Sequence, residues 1–165
     1  MNRPIISLRT GTSVGTALMP IIDPNNLKIE AFYCTDRFDK KLQLLLLYQD
    51  IREVIPQGFL VNDHEVLAAP NDVVRLHGLM KLNFGLIGKP VVTISKNKVG
   101  KVNDFAVEIE TMYIQKLYVG QSLLKNLSGG SLSVDRSQIY EITSRSIIIN
   151  DLLREAPLKA AIPVN

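Results

Sequence analysis

The chain has 165 residues, 46% of them hydrophobic, with 19 Lys and Arg against 16 Asp and Glu for a net charge of +3. That hydrophobic content excludes a disordered chain, and the small basic excess falls short of a dedicated nucleic-acid binder, whose cations crowd one face. The single cysteine, Cys34, excludes an internal disulfide and fits a reducing cytoplasm.

No long apolar segment follows Arg3, so a signal peptide is not expected. The most hydrophobic run, Leu42 to Tyr48, is far shorter than the roughly 20 residues a membrane helix requires. The expectation is a soluble, cytoplasmic chain without a membrane span. Pro4 to Leu8 predicts a short strand, since a proline without an N–H suits a strand start or an edge. Thr10-Gly11-Thr12 makes a turn, and a second strand runs from Gly15 through Ile22. Asp23-Pro24-Asn25-Asn26 carries turn chemistry: Pro presets φ, and the Asp and Asn side chains bond nearby backbone. Leu27 to Thr35 alternates, with Leu27, Ile29, Ala31 and Tyr33 on one face and Lys28 and Glu30 on the other, which predicts a third strand. Leu42 to Tyr48 shows no period and fits either a buried strand or part of a helix. A tight turn at Gln49-Asp50-Ile51 and two short strands, Glu53 to Ile55 and Phe59 to Val61, complete this stretch. Pro70 to Met80 predicts a helix, with Pro near its start and Val73, Leu76 and Met80 among its apolar positions, weakened by Gly78. Phe84 to Pro90 reads as a linker punctuated by glycines and proline.

From Pro90 onward the first half is written again. Pro4-Ile5-Ile6-Ser7 returns as Pro90-Val91-Val92-Thr93, Val14-Gly15 as Val99-Gly100, Ile51-Arg52-Glu53-Val54 as Ile139-Tyr140-Glu141-Ile142, and Val61-Asn62-Asp63 as Ile149-Asn150-Asp151. The separation is 85 or 86 residues up to Tyr33 and Tyr118 and 88 afterwards, which puts a short insertion at Lys125 to Ser131. That stretch is rich in Gly and Ser, where a surface loop tolerates an insertion. A tandem duplication follows. The copy also decides the apolar run: its equivalent, Ser131-Leu132-Ser133-Val134, alternates, so Leu42 to Tyr48 is assigned as strand. Each unit then offers about six short strands, the signature of a small barrel or sandwich. The expected organisation is a first unit at 1–69, a connecting helix and linker at 70–89, a second unit at 90–155 and an extended tail at 156–165. A short helix is expected from Asp151 to Glu155. Units of about 75 residues are marginal alone, so they are expected to pack against each other, or against a partner, through apolar side chains.

The second unit carries a family likeness. Val92-Thr93-Ile94, then Lys98-Val99-Gly100-Lys101-Val102-Asn103-Asp104-Phe105, an alternating strand Thr111 to Val119, Ile139-Tyr140-Glu141-Ile142 and Ile147-Ile148-Ile149-Asn150 together resemble the PRC-barrel. The resemblance covers residues 90 to 155 and, through the repeat, 4 to 67. The first unit departs from it at Gly15-Thr16-Ala17-Leu18-Met19, which has no acidic residue where Asp104 stands. The resemblance implies a mainly β chain of two tandem small antiparallel β-barrels with a short connecting helix, used as an adaptor. The family includes the H subunit of the photosynthetic reaction centre, the ribosome maturation factor that binds a ribosomal protein, and small free-standing proteins of bacteria and archaea.

No set of residues suited to catalysis emerges, and neither an enzyme, a cofactor nor a small-molecule substrate is expected. His64 and His77, the only histidines, lack companions at ligand spacing and read as structural or surface residues. Cys34 in an alternating strand reads as a packed thiol. Gly11-Thr12-Ser13-Val14-Gly15 lacks the Gly-Lys-Ser/Thr of a phosphate loop and reads as a hairpin turn. Asp36, Asp39, Glu108 and Glu110 read as solvated carboxylates, and Asp104 as a ligand of backbone N–H groups in its turn. The most suggestive cluster is Lys96, Lys98 and Lys101 on one hairpin, joined by Arg145 near the other end of the unit. These cations are candidate contacts for RNA phosphate or an acidic protein surface; the plainer reading is a soluble turn whose lysines block edge pairing. Charge is uneven in the same direction: residues 86–165 hold ten Lys and Arg against seven Asp and Glu, while residues 1–85 balance at nine each. The first expectation is a non-enzymatic adaptor that offers sheet edges, an inter-unit groove and the linking helix to a protein partner. The alternative is an RNA- or ribosome-associated factor that uses the basic turn. An enzyme would be signalled by a pocket between the units lined with carboxylates.

Overall fold

Two six-stranded sheets, built in the same order, make up the protein in a computed structural model that describes residues 2–121 and 131–151. The first sheet contains β1 (Arg3–Ser7), β2 (Ser13–Asp23), β3 (Lys28–Asp36), β4 (Gln43–Leu47), β5 (Ile51–Ile55) and β6 (Gly58–Val61). The second contains β7 (Pro90–Thr93), β8 (Lys98–Val107), β9 (Ile114–Gln121), β10 (Ser131–Asp135), β11 (Ile139–Ile142) and β12 (Ile147–Ile149). The orders are β4-β3-β2-β1-β6-β5 and β10-β9-β8-β7-β12-β11. The sheets are not wholly antiparallel as expected: β1 runs parallel to β6 and β7 parallel to β12, because each sixth strand returns beside the first in the same direction. The end strands of each sheet are consecutive in the chain, joined by a 3-10 turn at Tyr48–Asp50 or Arg136–Gln138. Among the described residues they do not pair with each other.

Strand registers reproduce the repeat residue by residue. Gly15 faces Ile5 as Gly100 faces Val91, and Ile5 faces Phe59 as Val91 faces Ile147. Tyr33 lies opposite Leu45, and its copy Tyr118 lies opposite Ser133, so the offset grows from 85 to 88 between these strands. The expected insertion at Lys125 to Ser131, the helix from Asp151 to Glu155 and the tail fall, apart from Ser131 and Asp151, outside the described residues.

The even alternation expected of β3 is broken by a bulge. Ile21 pairs with Ala31 and Ile22 with Ile29, which leaves Glu30 as an extra residue and shifts the phase of the strand. Ile29, Phe32 and Cys34 therefore enter the main core, while Ala31 and Tyr33 turn to the opposite face. That face is covered as well. Leu45 of β4 joins Ile21 and Ala31 beneath Val73 and Leu76 from the segment between the units, while Leu44 and Leu46 point into the main core. A strand buried on both faces has no reason to alternate, which accounts for the featureless run Leu42 to Tyr48. In the second unit Ser131, Ser133 and Asp135 are exposed at the matching positions.

The connecting segment is not the single helix expected over Pro70 to Met80. Pro70–Asp72 and Val74–Leu76 are 3-10 turns, and only α1 (His77–Leu82) is α-helical. Val73, at φ −101° and ψ 67°, interrupts the run so that its side chain and that of Leu76 can both face β4. Asn83 ends α1 at φ +46°, a left-handed conformation that asparagine tolerates. Ala68 pairs with Leu45 through N–H···O bonds of 2.8 and 3.0 Å and so covers the free edge of β4. One main core joins the units, running from Ile5, Cys34 and Phe59 through Leu27, Leu86 and Met112 to Val91, Leu117 and Ile147.

Candidate functional site at the seam between the units

The units meet through residues that are copies of one another. Lys28 bridges Tyr113, 85 residues later; the Ile29 N–H donates to the Met112 carbonyl and the Ile114 N–H to the Leu27 carbonyl, both at 2.9 Å. Leu27 and Met112 have left-handed backbones, at φ +52° and +59°. Such a conformation costs a non-glycine residue about 1–2 kcal/mol, and both side chains are buried at the join. Symmetric exchange of bonds between equivalent residues is the mark of an isologous, two-fold contact, here contained within one chain. The same join moves two predicted strand starts: β3 begins at Lys28 rather than Leu27, and β9 at Ile114 rather than Thr111.

Cations and aromatic rings stack across this join. The Lys28 ammonium lies 3.8 Å from the centroid of the Tyr48 ring and 5.6 Å from that of Tyr113, while the Arg136 guanidinium lies 4.8 Å from Tyr113. Tyr48 and Arg136 are repeat equivalents, each opening the 3-10 turn of its unit. The same contact is therefore made twice with its roles reversed: cation on β3 and ring on the turn in the first unit, ring before β9 and cation on the turn in the second. The Tyr48 side chain, ahead of Glu30, holds the Lys28 ammonium above its ordinary pKa against the opposing pull of burial. Sequence reasoning missed these four residues; the available signal was that Lys28 and Tyr113, like Tyr48 and Arg136, share a repeat position.

Beside the stack lies a groove of about 250 Å³, bounded by Tyr48 and the strand from Ile51 to Val54 on one bank and by Ile109, Glu110 and Met112 on the other. Met112 is buried at its base, and Ile109 is 56% exposed at its rim. Arg52 is engaged elsewhere, its Nε–H donating to Asn62 Oδ1 at 2.9 Å. Glu53 and Glu110 stand exposed on opposite banks, so the inter-unit pocket does carry carboxylates. A second, shallower cleft of about 410 Å³ lies between β2, β3 and the connecting segment, where Arg75 pairs with Glu30 at 3.7 Å.

The predicted basic residues are distributed over two ends of the second sheet. Lys96, at φ +65°, lies in the β7–β8 turn, and Lys98 opens β8 beside it, opposite Val92. Lys101 lies opposite Pro90 at the other end. There Lys89 donates to the Ser144 carbonyl at 2.9 Å, in the β11–β12 turn that also carries Arg145. The structure thus separates Lys96 and Lys98 from Lys101, and sets Lys101 and Arg145 on the two sides of Lys89. Lys96, Lys98, Lys101 and Arg145 are all exposed.

The remaining polar residues hold the fold. Cys34 is fully buried, and burial, followed by the Asp36 carboxylate, pushes its thiol up to about 12, far from a reactive thiolate. Asp36 accepts from the Phe38 N–H at 3.0 Å and faces His64 Nε2 at 3.0 Å; these bonds, the backbone one foremost, hold its carboxyl below the ordinary range despite burial. His77 donates from Nε2 to the Pro70 carbonyl at 3.2 Å and ties the 3-10 turns to α1. Ser7 donates to Asp63 at 2.9 Å, with Arg9 on the other carboxylate oxygen; in the second unit Asp151, the copy of Asp63, is held instead by Ser95, which stands in the place of Arg9 and donates to it at 2.7 Å. Asp104 lies within β8 rather than in a turn, at a bulge where it accepts from the Phe105 N–H at 2.8 Å. No group of three or more His, Cys, Asp or Glu among the described residues is placed to hold a metal, and no helix there is long and apolar enough to cross a membrane. Neither a protein-family model nor a curated protein sequence matches the chain.

Proposed function

We propose that the chain is a non-enzymatic interaction protein, a cytoplasmic adaptor of PRC-barrel type whose two curled units bind a protein partner at their seam. The observation that supports it is the groove between the units, which combines an apolar base with the unpaired outer edge of β5. Protein segments are commonly taken up at such edges, where main-chain bonds supply affinity and pockets supply selectivity. Glu53 and Glu110 are the feature that would favour an enzyme. Both are exposed rim residues, and the groups best suited to join them are elsewhere: Cys34 in the core and His64 against Asp36. They are read as charges that select a partner.

The test is affinity capture from native cell extract by the intact chain, with crosslinking and mass spectrometry scored for protein against RNA. A stoichiometric protein partner is the expected result. Recovery of RNA instead, with steeply salt-dependent binding that falls when Lys96, Lys98 and Lys101 become Glu, would replace this reading with the RNA-associated one. Recovery of neither, together with turnover of a small substrate that stops on Glu53→Gln, would restore the enzyme.

A further inference from the structure

The groove beside the seam has a wall that specifies how a ligand must lie in it. Ile51, Arg52, Glu53 and Val54 all line it. A bulge against β6 leaves Arg52 as an extra residue, but Glu53 and Val54 beyond it point to opposite faces, and both line the groove because it runs along the edge of the strand. The edge is the outer one: β5 ends its sheet, and its inner edge is taken by β6. Its outward N–H and C=O groups are those that an added strand would pair with. An apolar side chain projecting from such a strand would meet Met112 and Ile109. The lining is net acidic by one charge: Glu53 and Glu110 stand on opposite banks and make no ion pair among the described residues, against the single cation Arg52, whose guanidinium is directed to the neutral Asn62 amide.

We infer that this groove takes an extended segment of a partner protein, paired along the outer edge of β5, in which an apolar side chain is flanked by lysine or arginine. The inference rests on the interaction reading above and supplies its ligand class. The second unit provides an internal control. At its matching edge, β11, Tyr140 stands for Arg52 and Glu141 for Glu53, while the facing loop offers Pro24 and Asn25 in place of Ile109 and Glu110. That edge lacks the pair of carboxylates.

The test uses the intact chain and a short fluorescein-labelled peptide with a central leucine flanked by lysines, followed by fluorescence anisotropy. Saturable binding is expected, lost when glutamates replace the lysines and weakened when prolines at alternate positions remove the N–H groups needed for strand pairing. Changing Glu53→Lys and Glu110→Lys together is expected to weaken binding about tenfold or more, since like charges then face each other. Ile109→Ser is expected to weaken it without unfolding the chain, because Ile109 is exposed, and Glu141→Lys to leave it unchanged. A lysine peptide that binds no tighter than its glutamate counterpart overturns the inference, and so does a Glu141→Lys effect as large as the double change. Stoichiometric capture of a cellular protein equally by wild type and by the Glu53→Lys, Glu110→Lys variant would overturn the groove while leaving the interaction reading in place.

Discussion

Gly15 and Gly100 occupy one position in two copies, and the same obstacle keeps both free of a side chain. A Cβ on Gly15 would run into the carbonyl oxygen of Thr35, and one on Gly100 into that of Gly120, the repeat equivalent of Thr35. Backbone blocks each site, so no side chain can swing away to make room. Gly100→Ala is expected to destabilise the chain by about 1–3 kcal/mol, the usual cost of overpacking a close-packed site, and to lower the urea midpoint with little change in slope. Gly78 in α1 supplies the contrast: nothing lies within 4 Å of its missing Cβ, and Gly78→Ala should stabilise by up to about 1 kcal/mol through helix propensity. The match between Gly15 and Gly100 was visible in the sequence as part of the repeat. Its cause was not, since the obstructing carbonyl belongs to a strand twenty residues away.

The exchange of cation and ring across the seam makes a testable statement about elements. Lys28 on β3 sits over Tyr48 on the turn before β5, whereas Tyr113 before β9 lies under Arg136 on the turn before β11. If both turns demand a cation–ring contact and are indifferent to which side supplies the charge, then the second arrangement should be transferable to the first. Lys28→Tyr alone is expected to cost about 0.5–1 kcal/mol, and adding Tyr48→Arg should recover most of it. Urea denaturation of both single variants and the double variant measures the coupling; additive losses would show that the contact is incidental. Most strands could be read from the sequence because turn residues such as Asp23-Pro24-Asn25-Asn26 bracket them and the copy arbitrates the ambiguous one. The bulge at Glu30 could not, because a one-residue phase shift looks like imperfect alternation until both faces are known to be buried. The helix over Pro70 to Met80 failed for a related reason: Val73 and Leu76 are apolar to seal β4, and that contact outweighs helical continuity.

At the scale of the whole molecule, the decisive fact is that the main core does not stop at the boundary between the repeats. Leu27, Met112 and Leu86 join the two halves of a single apolar cluster, and each fully buried side chain of that kind contributes about 1.5–3 kcal/mol. The chain is therefore expected to unfold in one cooperative transition. Calorimetric and van't Hoff enthalpies should agree, and tyrosine fluorescence, which reports on Tyr48 and Tyr113 at the seam, should change together with far-UV circular dichroism. Separate transitions would mean that the halves hold independently. Duplication and the number of strands were legible from the sequence at this scale, and so was the need of each half for an apolar neighbour, though not whether that neighbour was the other half or a partner. The candidate site was not, because it is formed by residues from both repeats, and the separations that flank it, 85 and 88, say only that copies exist and not that they touch.

The two-fold join has a further consequence because both of its sides belong to one polypeptide. Dilution cannot part them, as it would part a homodimer held by the same two backbone bonds. Nor must they stay alike: every surface change in a homodimer appears on both protomers, whereas here Asn25 and Tyr140 stand where their copies are Glu110 and Arg52. A fused pair can thus keep its symmetric foundation while offering one acidic cleft per molecule, and a basic ligand would bind it singly rather than as a bridge between matched ends.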